Sequence, residues 1–128
     1  MHTISVFIQF VEAINRHDAK AVAELMTADH LFVDSLGNVV RGASTMEAGW
    51  MGYFSICPDY RIRIDTVMDK AGGVLAVGEA GGTTDGQSWR IPAAWKAVVR
   101  DDRVAEWRVF ADNKPLYEIL AKRQSLSS

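Results

Sequence analysis

The 128-residue sequence has only one cysteine and three histidines. A single cysteine, Cys57, allows no disulfide within the chain and no cysteine-based zinc site. The histidines form no spaced pair with a nearby carboxylate, so no metal site is predicted. A glycine-rich phosphate loop before a helix is also lacking, and no nucleotide cofactor is expected. The sequence predicts a protein that works without metal or cofactor.

Long apolar runs and an excess of positive charge are lacking too. No apolar stretch approaches the roughly 20 residues that a membrane span needs. Polar Gln9 and Glu12 interrupt the apolar residues near the N-terminus, unlike a secretion signal. The formal net charge is -2, with acids and bases interspersed, so there is no basic stripe for nucleic acid. We expect a cytoplasmic protein that binds neither membranes nor nucleic acid.

Apolar residues at helical spacing predict three helices in the first half of the chain. The first ends near Asn15, and Asp18 is placed to cap the second. Ser44 and Glu47 match a capping box at the start of the third helix, which Pro58 ends. This third helix has an aromatic face.

From residue 60 onward the apolar period changes to two, which predicts strands. Tight turns join the expected strands into an antiparallel meander. The four strands are Tyr60–Met68, Val74–Ala80, Trp89–Val99 and Val104–Phe110. A short hairpin is expected over residues 31–40, and a short last helix is expected to begin at Pro115.

These elements predict an α+β fold in a single domain. The domain is expected to span residues 1–122, with residues 123–128 as a flexible C-terminal tail. The order of helix, helix, short hairpin, helix and four long strands places helices on one face of a curved antiparallel sheet. A sheet of this kind bends into a cone that can hold an apolar cavity.

Four short segments occur in an order that is typical of one superfamily. They are Phe10–Asn15, His17–Asp18, Phe32–Asp34 with Arg41–Gly42, and Trp107–Asp112. On these segments nearly the whole chain resembles the nuclear transport factor 2-like superfamily, and within it the SnoaL-like group of polyketide cyclases and ketosteroid isomerases. The resemblance implies a cystatin-like α+β barrel, in which three N-terminal helices pack on the concave face of a cone-shaped antiparallel sheet.

The resemblance implies a general base at Asp34, the position of the proton-shuttling Asp in ketosteroid isomerases. The hydroxyl donor of that pattern falls on Phe10, and its late protonated acid falls on Ala94 or Trp95. Losing one such donor typically costs on the order of 3 kcal/mol of transition-state stabilisation, so isomerase chemistry through these groups is disfavoured. The cyclase pattern points to Asp112 as an acid beside the ligand.

Both acids have a structural alternative. Asp34 can accept hydrogen bonds from backbone N–H groups in the Gly37–Asn38 turn, and Asp112 can cap the helix before Pro115. The functional interpretation of Asp34 depends on an apolar environment, which increases the affinity of a carboxylate for protons.

Trp50, Tyr53 and Trp95 are predicted to contact a ligand, with simple core packing as the alternative. Buried Tyr and Trp each need a hydrogen-bond partner, so they often line cavities. His30 is spaced evenly from Asp34, so an extended segment would place both on one side. It is a further candidate ligand contact, with a surface histidine at a helix exit as the alternative.

Three functions are compatible with these residues. The first is a cofactor-free isomerase or cyclase that moves a proton on a small apolar ligand with a carbonyl, with Asp34 as base and Tyr53 as donor. The second is a non-catalytic domain that binds such a ligand. The third is a dimeric interaction module, because the apolar long strands, including Trp107 and Val109, are compatible with a homodimer.

Overall fold

Within residues 2–127, which the computed structural model describes, the chain forms four helices and six strands. Side chains are described for residues 3–122. The helices are α1 (His2–Asn15), α2 (Ala19–Glu24), α3 (Ala43–Ile56) and α4 (Lys114–Ser127). The strands are β1 (Met26–Val33), β2 (Val39–Arg41), β3 (Arg61–Lys70), β4 (Gly73–Thr84), β5 (Gln87–Arg100) and β6 (Arg103–Ala111). The fold is α+β, as predicted, and none of the described helices is long and apolar enough to cross a membrane.

The six strands form one curved, open sheet in the order β2-β1-β6-β5-β4-β3. The antiparallel meander of β3 to β6 and the β1–β2 hairpin are confirmed. Strand β1 runs parallel to β6, however, and pairs Phe32 with Trp107. The sheet is therefore mixed, and the prediction of a purely antiparallel sheet is wrong. A period of two identifies a strand, but it carries no information about the direction of a partner that is distant in sequence.

The starts of α2 and α3 differ in how well the sequence predicted them. Asp18 caps α2, since its Oδ1 accepts a hydrogen bond of 3.0 Å from the backbone N–H of Ala21. The predicted capping box of α3 does not form. The cap residue of α3 is Gly42, and no side-chain hydrogen bond caps the helix. Ser44 cannot act as the cap because it already lies inside the first turn.

The last helix is longer than the sequence predicted. Leu116 and Ile119 bury its apolar side, and most of the following residues are good helix formers, so the backbone stays helical to Ser127. The predicted flexible tail comprises residues 123–128, whose side chains lie outside the described ones. Ser128 lies outside the described residues altogether.

Helices cover only one face of the sheet. The rings of Phe7 and Phe10 on α1 lie 5.5 and 4.8 Å from the ring of Trp107, measured between centroids. The opposite face leaves Val77 and Phe110 about half exposed, at 53% and 51%. The alternation of side chains along the strands thus separates a face buried by helices from an exposed apolar face.

His30 on β1 lies in the core between the sheet and α1. Its side chain is 0% exposed, so the alternative of a surface histidine is wrong. Nδ1 donates a hydrogen bond of 2.7 Å to the carbonyl oxygen of Val104, and the ring centroid lies 6.2 Å from that of Phe10. Burial lowers the pKa of His30, with Asp29 and Glu106 acting more weakly in the opposite direction. The folded protein therefore favours the neutral imidazole.

This burial predicts a loss of stability in mild acid. The folded pKa of His30 is below the unfolded value, so the unfolded chain binds the proton first as the pH falls. The stabilisation is complete above about pH 6.5 and decreases below it, by at most about 1.4 kcal/mol per pH unit. Urea unfolding followed by circular dichroism at pH 7.5 and 5.5 measures the decrease. His30→Gln should reduce it, and an equal decrease in the variant would contradict the assignment.

Candidate functional site

A cavity of about 430 Å³ lies between the helix-covered face of the sheet and helices α3 and α4. Its walls contain many aromatic rings, which come from β1, α3, the segment before β3, strands β5 and β6, and α4. These rings are Phe32, Trp50, Tyr53, Tyr60, Trp89, Trp95, Trp107 and Tyr117. Leu116 of α4 adds an aliphatic contact. The cavity has the size and the apolar walls that are typical of small-molecule sites.

The aromatic residues reach the cavity because two different periodicities place them there. Trp50 and Tyr53 are three residues apart on α3 and therefore share a helix face. Trp89 and Trp95 occupy alternate positions on β5, all of which point to the buried face. The rings of Trp50 and Tyr53 meet edge to face, with centroids 6.1 Å apart. Trp50, Tyr53 and Trp95, the predicted ligand contacts, all line this one cavity.

Two polar contacts from the end of α1 fix Tyr60 and the beginning of β3. Nε2 of His17 donates a hydrogen bond of 2.7 Å to the carbonyl oxygen of Tyr60. The side-chain NH₂ group of Asn15 donates a hydrogen bond of 2.9 Å to the carbonyl oxygen of Ile62, and its Oδ1 accepts one of 2.8 Å from the N–H of Ile62. Tyr60 is therefore held from its backbone, while its ring lines the cavity.

Asp34 lines the cavity and caps a turn at the same time. Its Oδ1 accepts hydrogen bonds of 2.9 Å from the backbone N–H groups of Leu36 and Asn38. Its Oδ2 accepts one of 3.0 Å from the side-chain amide of Asn38. The turn-capping alternative is thus observed, and the cavity position is observed as well. A carboxylate oxygen accepts two hydrogen bonds, so Oδ2 keeps one position for a ligand.

His30 and Asp112 do not line the cavity. His30 lies in the core as described above, beneath α1. Asp112 is exposed, and its Oδ1 accepts a hydrogen bond of 3.0 Å from the backbone N–H of Lys114 at the start of α4. This is the helix-capping role that the sequence offered as an alternative.

Tyr60, Trp89 and Trp107 line the cavity but were not among the predicted ligand contacts. The sequence offered Trp107 and Val109 as apolar strand residues compatible with a homodimer, and both line the cavity. The strand register shows why Trp107 lines the cavity: it pairs with Ala97 of β5, which lies on the same face as Trp95. The sequence alone does not give this register.

The polar groups of the walls are mostly uncharged. Asp34 is the only Asp, Glu, Lys, Arg or His among the described lining residues. Burial raises the pKa of the Tyr53 and Tyr60 hydroxyls, so both stay protonated at neutral pH. Within residues 2–127, no group of three or more His, Cys, Asp or Glu side chains is placed to hold a metal ion.

Several solved structures share this fold. A candidate SnoaL-like polyketide cyclase from Shewanella putrefaciens CN-32 is 16% identical, covers 95% of this chain and 98% of that chain, and has a TM-score of 0.83. An LEH-like epoxide hydrolase from M. tuberculosis is 15% identical, with coverages of 94% and 90% and a TM-score of 0.82. A cystatin-fold protein from Novosphingobium aromaticivorans is 17% identical, with coverages of 86% and 98% and a TM-score of 0.75. At these identities the likeness shows the fold alone.

No curated protein sequence matches this chain closely enough to count as a relative. The SnoaL-like domain family, by contrast, matches residues 7–107, which is more than half of the chain. The matched range begins in α1 and ends at Trp107, so it includes most of the cavity walls. On this match, and on the fold shared with solved SnoaL-like proteins, the chain belongs to the SnoaL-like domain family.

Proposed function

We propose that this protein binds a small, uncharged and mostly apolar molecule in the cavity between α3, α4 and the sheet. The observation that carries the proposal is the cavity of about 430 Å³ with seven Trp and Tyr residues in its walls. Such rings contribute a large apolar contact area and retain polar edges for orientation. In this proposal the curved sheet forms a cone, and α1, α2 and α3 pack on its concave face.

The charges around the cavity favour an uncharged ligand. No Lys, Arg or His is found among the described lining residues, so a carboxylate or phosphate would lose its water without gaining a counterion. A cation would meet only Asp34, whose oxygens already accept three hydrogen bonds. Apolar contact is therefore the main source of affinity.

Fluorene, a planar neutral hydrocarbon, is a suitable probe for this proposal. Wild-type protein should bind it with a saturable change in fluorescence. Ala93→Phe adds a ring inside the cavity, because Ala93 is buried and lines it, and we expect at least about tenfold weaker binding, or about 1.4 kcal/mol.

Ala94→Phe is the matched control, since Ala94 pairs with Phe110 and Val77 on the exposed face. It should leave the affinity for fluorene unchanged. Equal affinity of wild type and Ala93→Phe, with both variants folded by circular dichroism, would rule out the cavity as the binding site.

Proton transfer by Asp34 is a second proposal, and one observation favours it. Asp34 is the only carboxylate among the described residues that line the cavity, and its Oδ2 keeps one free acceptor position. A base must lie within hydrogen-bond reach of the proton that it removes. An apolar ketone in the cavity would present its α-carbon protons to this oxygen.

Exchange of the α-protons of 2-tetralone into D₂O, followed by proton NMR, tests the base. We expect wild-type protein to accelerate the exchange above the rate in buffer, and Asp34→Asn to lower the protein-dependent rate by at least about a hundredfold, in line with general-base contributions. Asp112→Asn, at the other predicted acid, should retain the wild-type rate. Exchange at the wild-type rate in Asp34→Asn would remove Asp34 from the mechanism.

A homodimer is proposed through the exposed face of the sheet. Val77, Ala94 and Phe110 lie side by side in the register of β4, β5 and β6, which gives a continuous apolar strip. Beside it, Oε2 of Glu106 lies 3.6 Å from Nζ of Lys96 and 3.5 Å from Nε of Arg108. An apolar strip beside charges of both signs is suited to pairing with a copy of itself about a two-fold axis.

Sedimentation velocity measures this association directly. Val77→Lys places a charge in the centre of the strip, and we expect at least about tenfold weaker dimerisation because the buried charge would lack a partner. Met51→Lys makes a similar change at an exposed apolar residue of α3, 60% exposed, and should leave the dimer intact. A wild-type protein that sediments as a monomer at micromolar concentration would contradict the proposal.

A further inference from the structure

The inner walls of the cavity contain hydrogen-bond donors without partners. The indole N–H groups of Trp50 and Trp107 have no hydrogen-bond partner among the described residues. The hydroxyls of Tyr53 and Tyr60 likewise make no hydrogen bond to another described residue. All four residues line the same cavity. Since buried polar groups are normally hydrogen-bonded, a cluster of free donors in one place needs an explanation.

Several polar side chains in or beside the cavity walls are already hydrogen-bonded. The Thr84 hydroxyl oxygen accepts the Trp89 indole N–H at 3.0 Å, and the Ser35 hydroxyl oxygen accepts the Asn113 side-chain amide at 2.7 Å. Three hydrogen bonds from the turn occupy most of the Asp34 carboxylate. A ligand in the cavity can supply the acceptor that the tyrosine hydroxyls lack.

The tyrosine hydroxyls are the donors that a ligand can reach. The indole nitrogens of Trp50 and Trp107 are fully enclosed, but the hydroxyl of Tyr60 is not among the enclosed polar atoms. Tyr60 is only 7% exposed and lines the cavity, so the space that its hydroxyl meets is the cavity. The ring of Tyr53 lies edge-on to it, with centroids 4.8 Å apart. The two tyrosine rings therefore contact each other edge to face in the cavity wall.

We propose that the ligand carries a neutral carbonyl oxygen, as in a ketone or quinone, and that the hydroxyls of Tyr60 and Tyr53 donate hydrogen bonds to it. The proposal rests on the proposed function of the cavity. A carbonyl oxygen has two lone pairs and can accept from both phenols at once. A carboxylate would need a counterion that the described lining residues do not provide.

Burial supports this role for both residues. It raises the pKa of each phenol above the ordinary value, so each keeps its proton throughout the neutral range and remains a donor. Tyr60 is also fixed from the backbone by His17, which reduces the entropy that is lost when its hydroxyl binds.

This donor pair differs from the one that the ketosteroid-isomerase resemblance implies. In that pattern the donors would stand at the positions of Phe10 and of Ala94 or Trp95. Phe10 is 0% exposed and packs against Trp107. Here the donors come from α3 and from the segment before β3, at a different part of the cavity wall.

Fluorenone and fluorene form a matched pair of probes, because they share the same planar ring system and only fluorenone has a carbonyl. One net hydrogen bond corresponds to about a fivefold to tenfold change in affinity. We expect Tyr60→Phe to weaken fluorenone binding by this factor without changing the affinity for fluorene. Tyr53→Phe together with Tyr60→Phe should weaken fluorenone binding further. Ala94→Phe, on the exposed face of the sheet and away from the cavity, should change neither affinity.

Infrared spectroscopy supplies a second readout that packing changes would not produce. The carbonyl stretch of bound fluorenone should shift to lower frequency in the wild type, and this shift should disappear in the double variant. Equal losses for both probes in Tyr60→Phe, or no change for either, would overturn the carbonyl anchor and leave cavity binding intact. Failure of the wild type to bind fluorene and fluorenone alike would overturn cavity binding itself.

Discussion

The contact of Trp107 with Phe7 and Phe10 of α1 is the packing interaction on which the rest of the structure depends. It fixes α1 over β6 by stacking of large rings, which together bury several hundred Å². At the other end of α1, Asn15 bonds the backbone of Ile62 and so fixes β3 at the far side of the sheet. With α1 held over both β6 and β3, helices α3 and α4 cover another part of this face. The cavity lies beneath them.

The sequence predicted well those features that depend on neighbouring residues. The helix that Asp18 caps and the strands of the meander follow from spacing and turn residues within a few positions. The parallel pairing of β1 with β6 did not follow, because it depends on contacts such as that between His30 and Val104, 74 residues apart. The capping box at Ser44 failed for a related reason. The backbone at Gly42, whose positive φ of 98° favours glycine, sets the start of the helix instead.

The candidate site was predictable to the same extent. The sequence placed Asp34, Trp50, Tyr53 and Trp95 together, because a helix face and a strand face each fix the direction of a side chain. Tyr60 follows the turn at Cys57–Asp59, where its N–H donates to the carbonyl oxygen of Cys57 and its own carbonyl oxygen accepts from the distant His17. Its role therefore depends on tertiary structure. Asp34 illustrates a different limit, because one carboxylate can stabilise a turn and face a ligand at once, and sequence alone treats these as alternatives.

The parallel β1–β6 pairing has a consequence for the order of folding. The meander of β3 to β6 needs only short loops between successive strands, whereas β1 must find β6 across a long stretch of chain, at a high cost in loop-closure entropy. The meander should therefore form first, and β1 should join it late. Phe32 and Asp34, which complete one side of the cavity, enter with β1 and the turn that follows it. A folding intermediate without β1 would expose the aromatic side chains of the sheet, so the early steps of folding would be the most prone to aggregation.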